Sequence, residues 1–446
     1  MKVIILGGGP AGLGAAYRLS KLGINAEVIE KAPIVGGLVS SYKIKNYDIE
    51  RFYHIVYTTD DIFLELLREL NLYDKLKWNE SKVGFFYNRR LYKMSTPLDL
   101  LRFKPLKFLN RIRFGLMTLK ISYFQKDTEK LEELNAEEWL KDQWGDEAYE
   151  KIFRYLLRIK FGMSMKRASA AFVCERIKAR AITRSKGGKE ILGYFRGGYQ
   201  SILNSIKEAS RRSVQYHMNS EIKNIKKIGE KFIVEFESNG RKKKIEGDYV
   251  INTLPINLSL KLIKDFPIDY QDRLKKIDYQ AVICVLVGLK IRLSDFYWIN
   301  ILSEDVPFGV MVEHTNLENE KHYGGDHIVY LGKYVEKNNE WWNKNDDEII
   351  RLFLDSLKEM FPELEEEDIL WKKISRNAFA TPLYTIDFLK IMPNIESPIK
   401  GLYFAGNVMI YPNSRNVNYI IKSSYNAVDE ILKKSKLLSK DKEKSN

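Results

Sequence analysis

Two cysteines, Cys174 and Cys284, stand among 446 residues, with no C-x-x-C spacing and no histidines beside them. That scarcity excludes a disulfide framework and a Cys/His metal site, so no metal is expected, and a reducing, cytoplasmic compartment is. Long apolar runs are missing too: nowhere do eighteen uncharged apolar residues follow one another, and the opening MKVIILGGG breaks into glycine after five. Neither a transmembrane helix nor a secretory leader is expected there. Acidic residues are the minority, 59 against 73 Lys and Arg, giving a net charge of +14. This balance favours anionic ligands or anionic lipid surfaces. Nucleic acid is not an expected partner, because no recognition motif accompanies the charge. There are no internal repeats, and the length allows two or three domains.

What is present begins with a strand pattern, KVIIL at residues 2–6. Helix formers follow through GGGPAGLGAAYRLSKLG, and NAEVIEK returns to strand, so the first thirty residues read as a βαβ unit. Helical periodicity resumes at DDIFLELLRELNLYDKL, with Asp60 as the expected N-cap. The chain from Pro97 to about Tyr194 is mostly helical in pattern and basic. Paired strands return at 219–254, a second β-rich block covers 279–335, and helices are expected at 346–361 and from about Val417. No linker separates these blocks, which predicts domains interleaved in sequence.

Gly7-x-Gly9-x-x-Gly12 directly follows the first strand and, with Pro10 and Ala11, opens the first helix. The first glycine permits a tight turn, the second lets a pyrophosphate approach the backbone, and the third lets helix and strand pack closely. The phosphates would sit on free N–H groups at the helix N-terminus. Glu30, at the end of the second strand, can accept both ribose hydroxyls of a dinucleotide. The competing interpretation is a plain structural turn.

The run Glu30-Lys31-x-x-x-x-Gly36-Gly37 resembles the extended signature of FAD-binding enzymes of the amine oxidase superfamily, with Leu38 where an Arg is often found. GDYVINTLP (247–255) and FRGGYQSIL (195–203) resemble further segments of that superfamily. So does GLYFAGN (401–407), where Gly406 is followed by Asn407 in place of a carboxylate. The resemblance implies an α/β protein: a discontinuous Rossmann-type FAD-binding domain (1–90, 197–275 and 395–446) and a mixed α+β substrate domain with a helical part (91–196 and 276–394). It implies that Asn407 meets the cofactor and that a helix from Val417, with Asn418 and Tyr419 on its first turn, points at the flavin. The loop IERFYHIVYTTDD is similar to one shared by protoporphyrinogen oxidase-like enzymes, phytoene desaturase-like enzymes and UDP-galactopyranose mutases. That likeness puts His54 beside the flavin; Tyr384 and Arg415 are the other catalytic candidates. Ala281 and Val282 stand where amine oxidases carry a lysine near the flavin, which demotes amine oxidation. The implied activity is FAD-dependent oxidation, a hydride passing from substrate to flavin N5. The alternatives are a mutase-like enzyme using reduced FAD on a sugar nucleotide without net redox, and a non-catalytic flavin-binding module.

Three further segments carry candidates. His314 in VEHTN, beside Glu313 and Asn316, would either line a pocket or be a satisfied structural histidine. Arg158, Lys160, Arg176, Arg180 and Arg184 would either hold a phosphate- or carboxylate-bearing small-molecule substrate or form a solvated face. The stretch 97–124 pairs an apolar stripe, Leu109, Ile112, Leu116, Leu119 and Tyr123, with Lys107, Arg111, Arg113 and Lys120. Such a helix can lie on an anionic membrane or pack on the substrate domain.

Overall fold

Val3, Ile4, Ile5 and Leu6 are all fully buried, which is what a continuous apolar run produces in the middle of a parallel sheet covered on both faces. In the computed structural model, which describes residues 1–125, 128–182, 189–413 and 415–444, the strand Lys2–Leu6 pairs in parallel with Asn25–Ile29 and Tyr249–Asn252. Val214–His217 and Leu402–Phe404 complete the sheet at its two edges, again in parallel. Numbered in chain order, the strands run 3-2-1-4-5. The connecting helix Pro10–Lys21 lies so close to the first strand that a Cβ on Gly12 would fall 1.9 Å from the Gly7 carbonyl oxygen. On its other side it meets the C-terminal helix Val417–Lys444, where a Cβ on Gly14 would be 2.6 Å from Ser424 Oγ and Arg18 pairs with Asp429 at 2.7 Å.

A second, mostly antiparallel sheet of seven strands is built around Tyr279–Leu289, of which only the first residue is incompletely buried. Val83–Tyr87 joins it by parallel pairing with Trp298–Ile301, and Arg90–Lys93 closes the edge. The boundary expected at residue 90 therefore falls inside a hairpin of this sheet, whose first strand begins at Val83. The pattern hid this because the strand partner lies more than two hundred residues away.

Helices Phe108–Phe124, Arg154–Phe161 and Ala170–Ile182 stand beside the seven-stranded sheet. The apolar stripe of the first of these is not covered: Leu109 is 76 % exposed, Leu116 57 % and Tyr123 60 %. Its arginines are tied to backbone, Arg111 donating to the Leu106 and Leu101 carbonyls and Arg113 to those of Gln143 and Asp142. Among the described residues no helix is long and apolar enough to cross a membrane.

Two local expectations are corrected by long-range contacts. Asp60 precedes helix Asp61–Glu69 but does not cap it; its carboxylate accepts from the Tyr57 N–H at 2.8 Å and the Asn416 amide at 2.7 Å. The cap comes from Asn418, whose Oδ1 accepts the Phe63 N–H at 2.9 Å. His314 is the structural histidine of the two possibilities, 2 % exposed, with its Nε2 2.6 Å from the Tyr323 hydroxyl and the Tyr194 and Tyr330 rings beside it. Glu313 is equally committed, accepting from the N–H groups of Leu293 and Ser294.

Asn418→Ala leaves the Phe63 N–H without an acceptor and is expected to cost about 1–2 kcal/mol in urea denaturation; an unchanged midpoint would refute the cap. Burial holds His314 down to about 3. The unfolded chain therefore binds this proton first, and stability rises with pH from about 3 to 6.5 and is level above. Over that window the wild type should lose up to about 1.4 kcal/mol per pH unit on acidification relative to His314→Gln. Parallel pH profiles for the two proteins would contradict a neutral, caged His314.

Candidate active site

Three glycine turns from distant parts of the chain meet at the N-terminus of helix Pro10–Lys21. The Gly36 N–H donates to the Gly8 carbonyl at 2.8 Å. A Cβ on Gly37 would lie 3.5 Å from Gly9 Cα, and one on Gly406 3.6 Å from Ala11 Cβ. Gly7, Gly36 and Gly406 adopt φ of +100°, +129° and +99°, values that side-chain-bearing residues rarely accept. Glu30 is fixed at the strand end by the N–H groups of Gly8 and Ala32, at 2.6 and 2.7 Å.

These residues fit a dinucleotide. Nothing lies within 4 Å of where a Gly9 side chain would begin, and no side chain caps the helix, so its first N–H groups face open space. Asn407 donates to the Ala380 carbonyl at 3.1 Å while its buried Oδ1 has no partner, an acceptor waiting for a donor. Not every sequence candidate turns the same way. The Lys31 ammonium pairs with Glu221 at the surface, at 2.8 Å. Leu38 joins an apolar cluster with Tyr42, Tyr53 and Ile55. Val417 is buried at the start of the C-terminal helix, but the Asn418 side chain is committed to capping its neighbour and Tyr419 lies half-buried near Asp60 and Glu175.

From this helix start a cavity of about 890 Å³ extends to the surface helix Phe108–Phe124. Arg415, Asn416 and Val417 line its inner end together with His54, Tyr53 and Tyr334; Phe114, Leu119 and Tyr123 line the outer end. Two of the three catalytic candidates, His54 and Arg415, are thus brought together. The third is not: Tyr384 is 1 % exposed, packs among Phe172, Phe388 and Tyr411, and donates its hydroxyl to the Asn407 carbonyl at 2.9 Å. It holds the Asn407 turn from behind and does not line the cavity.

The His54 Nδ1 lies 2.6 Å from the Phe52 carbonyl. A carbonyl can only accept, so Nδ1 carries the proton and Nε2 is left as an acceptor. Burial, with Arg415 adding to it, holds the imidazole down to about 3, so His54 is neutral at physiological pH.

The basic run divides. Arg154 and Arg158 turn outward to Glu304, whereas Lys160, Arg176 and Arg180 line the cavity; Arg184 lies outside the described residues, as does Ser414 of the loop before Arg415. Arg180 pairs with Glu190 at 2.9 Å and crosses the Trp298 ring at 5.2 Å. Burial pulls Lys160 down to about 8, with Arg176 and Arg415 contributing. Its ammonium sits 4.2 Å from the centre of the Tyr334 ring. Against the effect of burial, Lys160 and Arg415 bring the Tyr334 phenol down to about 7. Tyr53 and Tyr334 were not singled out in the sequence. Tyr53 could have been, as the neighbour of His54; Tyr334, on the strand His327–Val335, carries no local signal.

The profile of the flavin containing amine oxidoreductase family matches residues 10–432. The chain is 23 % identical over 437 residues to 15-cis-phytoene desaturase of Glycine max, covering 91 % of this chain and 75 % of that one. Its fold is similar to that of a putative protoporphyrinogen oxidase from Exiguobacterium sp. 255-15, at a TM-score of 0.76 and 17 % identity over 96 % of this chain and 98 % of that one. Reduced UDP-galactopyranose mutase has the same TM-score, 0.76, at 18 % identity over 97 % and 95 % of the two chains. With its glycine turns, its acidic strand end and a matched profile spanning nearly its whole length, the chain belongs to the flavin containing amine oxidoreductase family and is a FAD-dependent oxidoreductase.

Proposed function

We propose that this enzyme oxidises a small, largely apolar molecule at a C–H or C–N centre, in the manner of the desaturase and protoporphyrinogen oxidase-like branch of the family. The observation that carries this reading is the single cavity running from the Arg415-Asn416-Val417 helix start to a mainly aromatic and aliphatic outer wall. In this reading the parallel sheet, with the chain returning at 197–275 and 395–446, is a discontinuous Rossmann-type FAD-binding domain. The seven-stranded sheet, its hairpin Val83–Lys93 and the helices of 97–182 form the substrate domain.

Gly7, Gly9, Gly12 and the helix N-terminus would hold the pyrophosphate, Glu30 the ribose, and Gly406 and Asn407 the turn beyond them. FAD bound there supplies a hydride acceptor at flavin N5. The chain's own contribution is orientation and electrostatics. The apolar walls keep water from the reacting centre, and the Nε2 of neutral His54 can accept a hydrogen bond that orients the substrate. The positive end of the C-terminal helix faces the same region and favours negative charge there. A mutase-like reaction is less supported, since the matched family and the similar phytoene desaturase sequences are oxidoreductases.

The exposed stripe Leu109, Leu116 and Tyr123, with Lys120 on the same helix and Lys107 just before it, supports peripheral contact with an anionic membrane. The paired substitution Leu109→Glu and Leu116→Glu is expected to lower flotation with phosphatidylserine vesicles at least about tenfold, given the loss of two apolar anchors. Unchanged flotation would rule this helix out as the contact.

The purified protein should show a flavin absorbance that Glu30→Ala reduces or abolishes. Mixed without oxygen with polyene, porphyrinogen or amine compounds, the oxidised enzyme should bleach with its substrate. Conversion of a UDP-sugar by the reduced enzyme, without net flavin oxidation, would overturn the redox assignment.

A further inference from the structure

We infer that the inner end of the cavity is a subsite for an anionic head group, and that the substrate is an amphiphile, a carboxylate or phosphate carried on an apolar chain; this rests on the oxidoreductase reading of the same cavity.

The case is one of charge left over. Lys151 is matched by Glu147 and Lys178 by Glu175, and within the cavity itself Arg180 is matched by Glu190. Lys160, Arg176 and Arg415 all line the cavity, and among the described residues none of them meets a carboxylate. They also disfavour one another: Arg176 and Arg415 both help to lower Lys160, and Arg180 helps burial to lower Arg176. Cations gathered away from bulk water are costly unless an anion joins them. The Tyr53 and Tyr334 rings line the same end, with their hydroxyls hydrogen-bonded to each other. Arg176 and Arg415 provide the planar fork that carboxylate and phosphate accept in pairs.

Farther out the lining changes character. Phe114, Leu119, Leu157, Phe161, Phe172 and Ile177 bring only hydrocarbon to the wall. Leu119 and Tyr123 both line the cavity and stand exposed at the surface, so the mouth opens beside the bare stripe. A neutral hydrocarbon would leave Arg176 without an anion and Lys160 and Arg415 with only the Tyr334 phenol between them, and a sugar nucleotide would set polar groups against the Phe114, Leu157 and Phe172 side chains. An amphiphile that enters head first satisfies both ends, with its chain lying toward the mouth.

The test is calorimetric titration of the holoenzyme with dodecanoate, dodecyl phosphate and dodecanol, each below its aggregation limit. The anions should bind at least about tenfold more tightly than the alcohol, a preference that shrinks with added salt. The order of the two anions identifies the head group. Arg176→Gln and Lys160→Met should each cut the preference severalfold while leaving dodecanol affinity as it was, which reports an intact cavity, and Arg176→Lys should restore part of it. Equal affinity for all three probes, a preference that survives in both variants, or no binding of either anion overturns the subsite. Flavin absorbance is read on the same samples. Bound, reducible flavin with no anion preference refutes the subsite alone, whereas absence of flavin refutes the oxidoreductase reading, and the probe affinities decide the subsite in either event.

Discussion

There is no room for a methyl group between Gly7 and Gly12. A Cβ on Gly12 would lie 1.9 Å from the Gly7 carbonyl oxygen, and much of the site follows from that contact. Only because the helix sits that close to its strand does its N-terminus come level with Gly36, whose N–H reaches the Gly8 carbonyl. The same closeness is repeated on the far side, where Gly14 admits Ser424 of the C-terminal helix. That helix begins at the cavity, so the glycine spacing of the first fourteen residues fixes where the last helix starts.

Charge is sorted by the same framework. The short helix Arg154–Phe161 sends Arg154 and Arg158 out to Glu304 and turns Lys160 inward, because residues two apart on a helix point in different directions. Arg176 and Arg180, four apart, share a face and both reach the cavity. The basic stretch is therefore two populations, one solvated and paired, the other lining a cavity of low polarity. Net charge alone could not separate them.

What the sequence made legible was local: the βαβ unit, the glycine turns with Glu30, and the helix near Val417 all depend on residues a few positions apart. What it hid was settled by partners far away. Asp60 looked like a cap, yet the cap is Asn418, some 355 positions on. Tyr384 was a catalytic candidate, but its hydroxyl is committed to the Asn407 carbonyl. The stripe of helix Phe108–Phe124 fitted a membrane or a core equally well, since periodicity states which face is apolar and not what lies opposite. Tyr334 could not be found at all from an alternating strand in which it is one apolar position among several.

Asn407, the residue in place of a carboxylate, and Arg415, the catalytic candidate, share a partner. Both donate to one acceptor, the Ala380 carbonyl, at 3.1 and 2.8 Å. That carbonyl belongs to the strand Ile369–Pro382 of the seven-stranded sheet, while the turn carrying Asn407 belongs to the parallel sheet. A neutral amide can donate to a carbonyl, and an ionised carboxylate cannot. Asn407 therefore does something that the acidic residue it replaces could not do. It ties its own turn to the strand that also holds Arg415 at the cavity, so the two sheets are joined through one doubly hydrogen-bonded carbonyl.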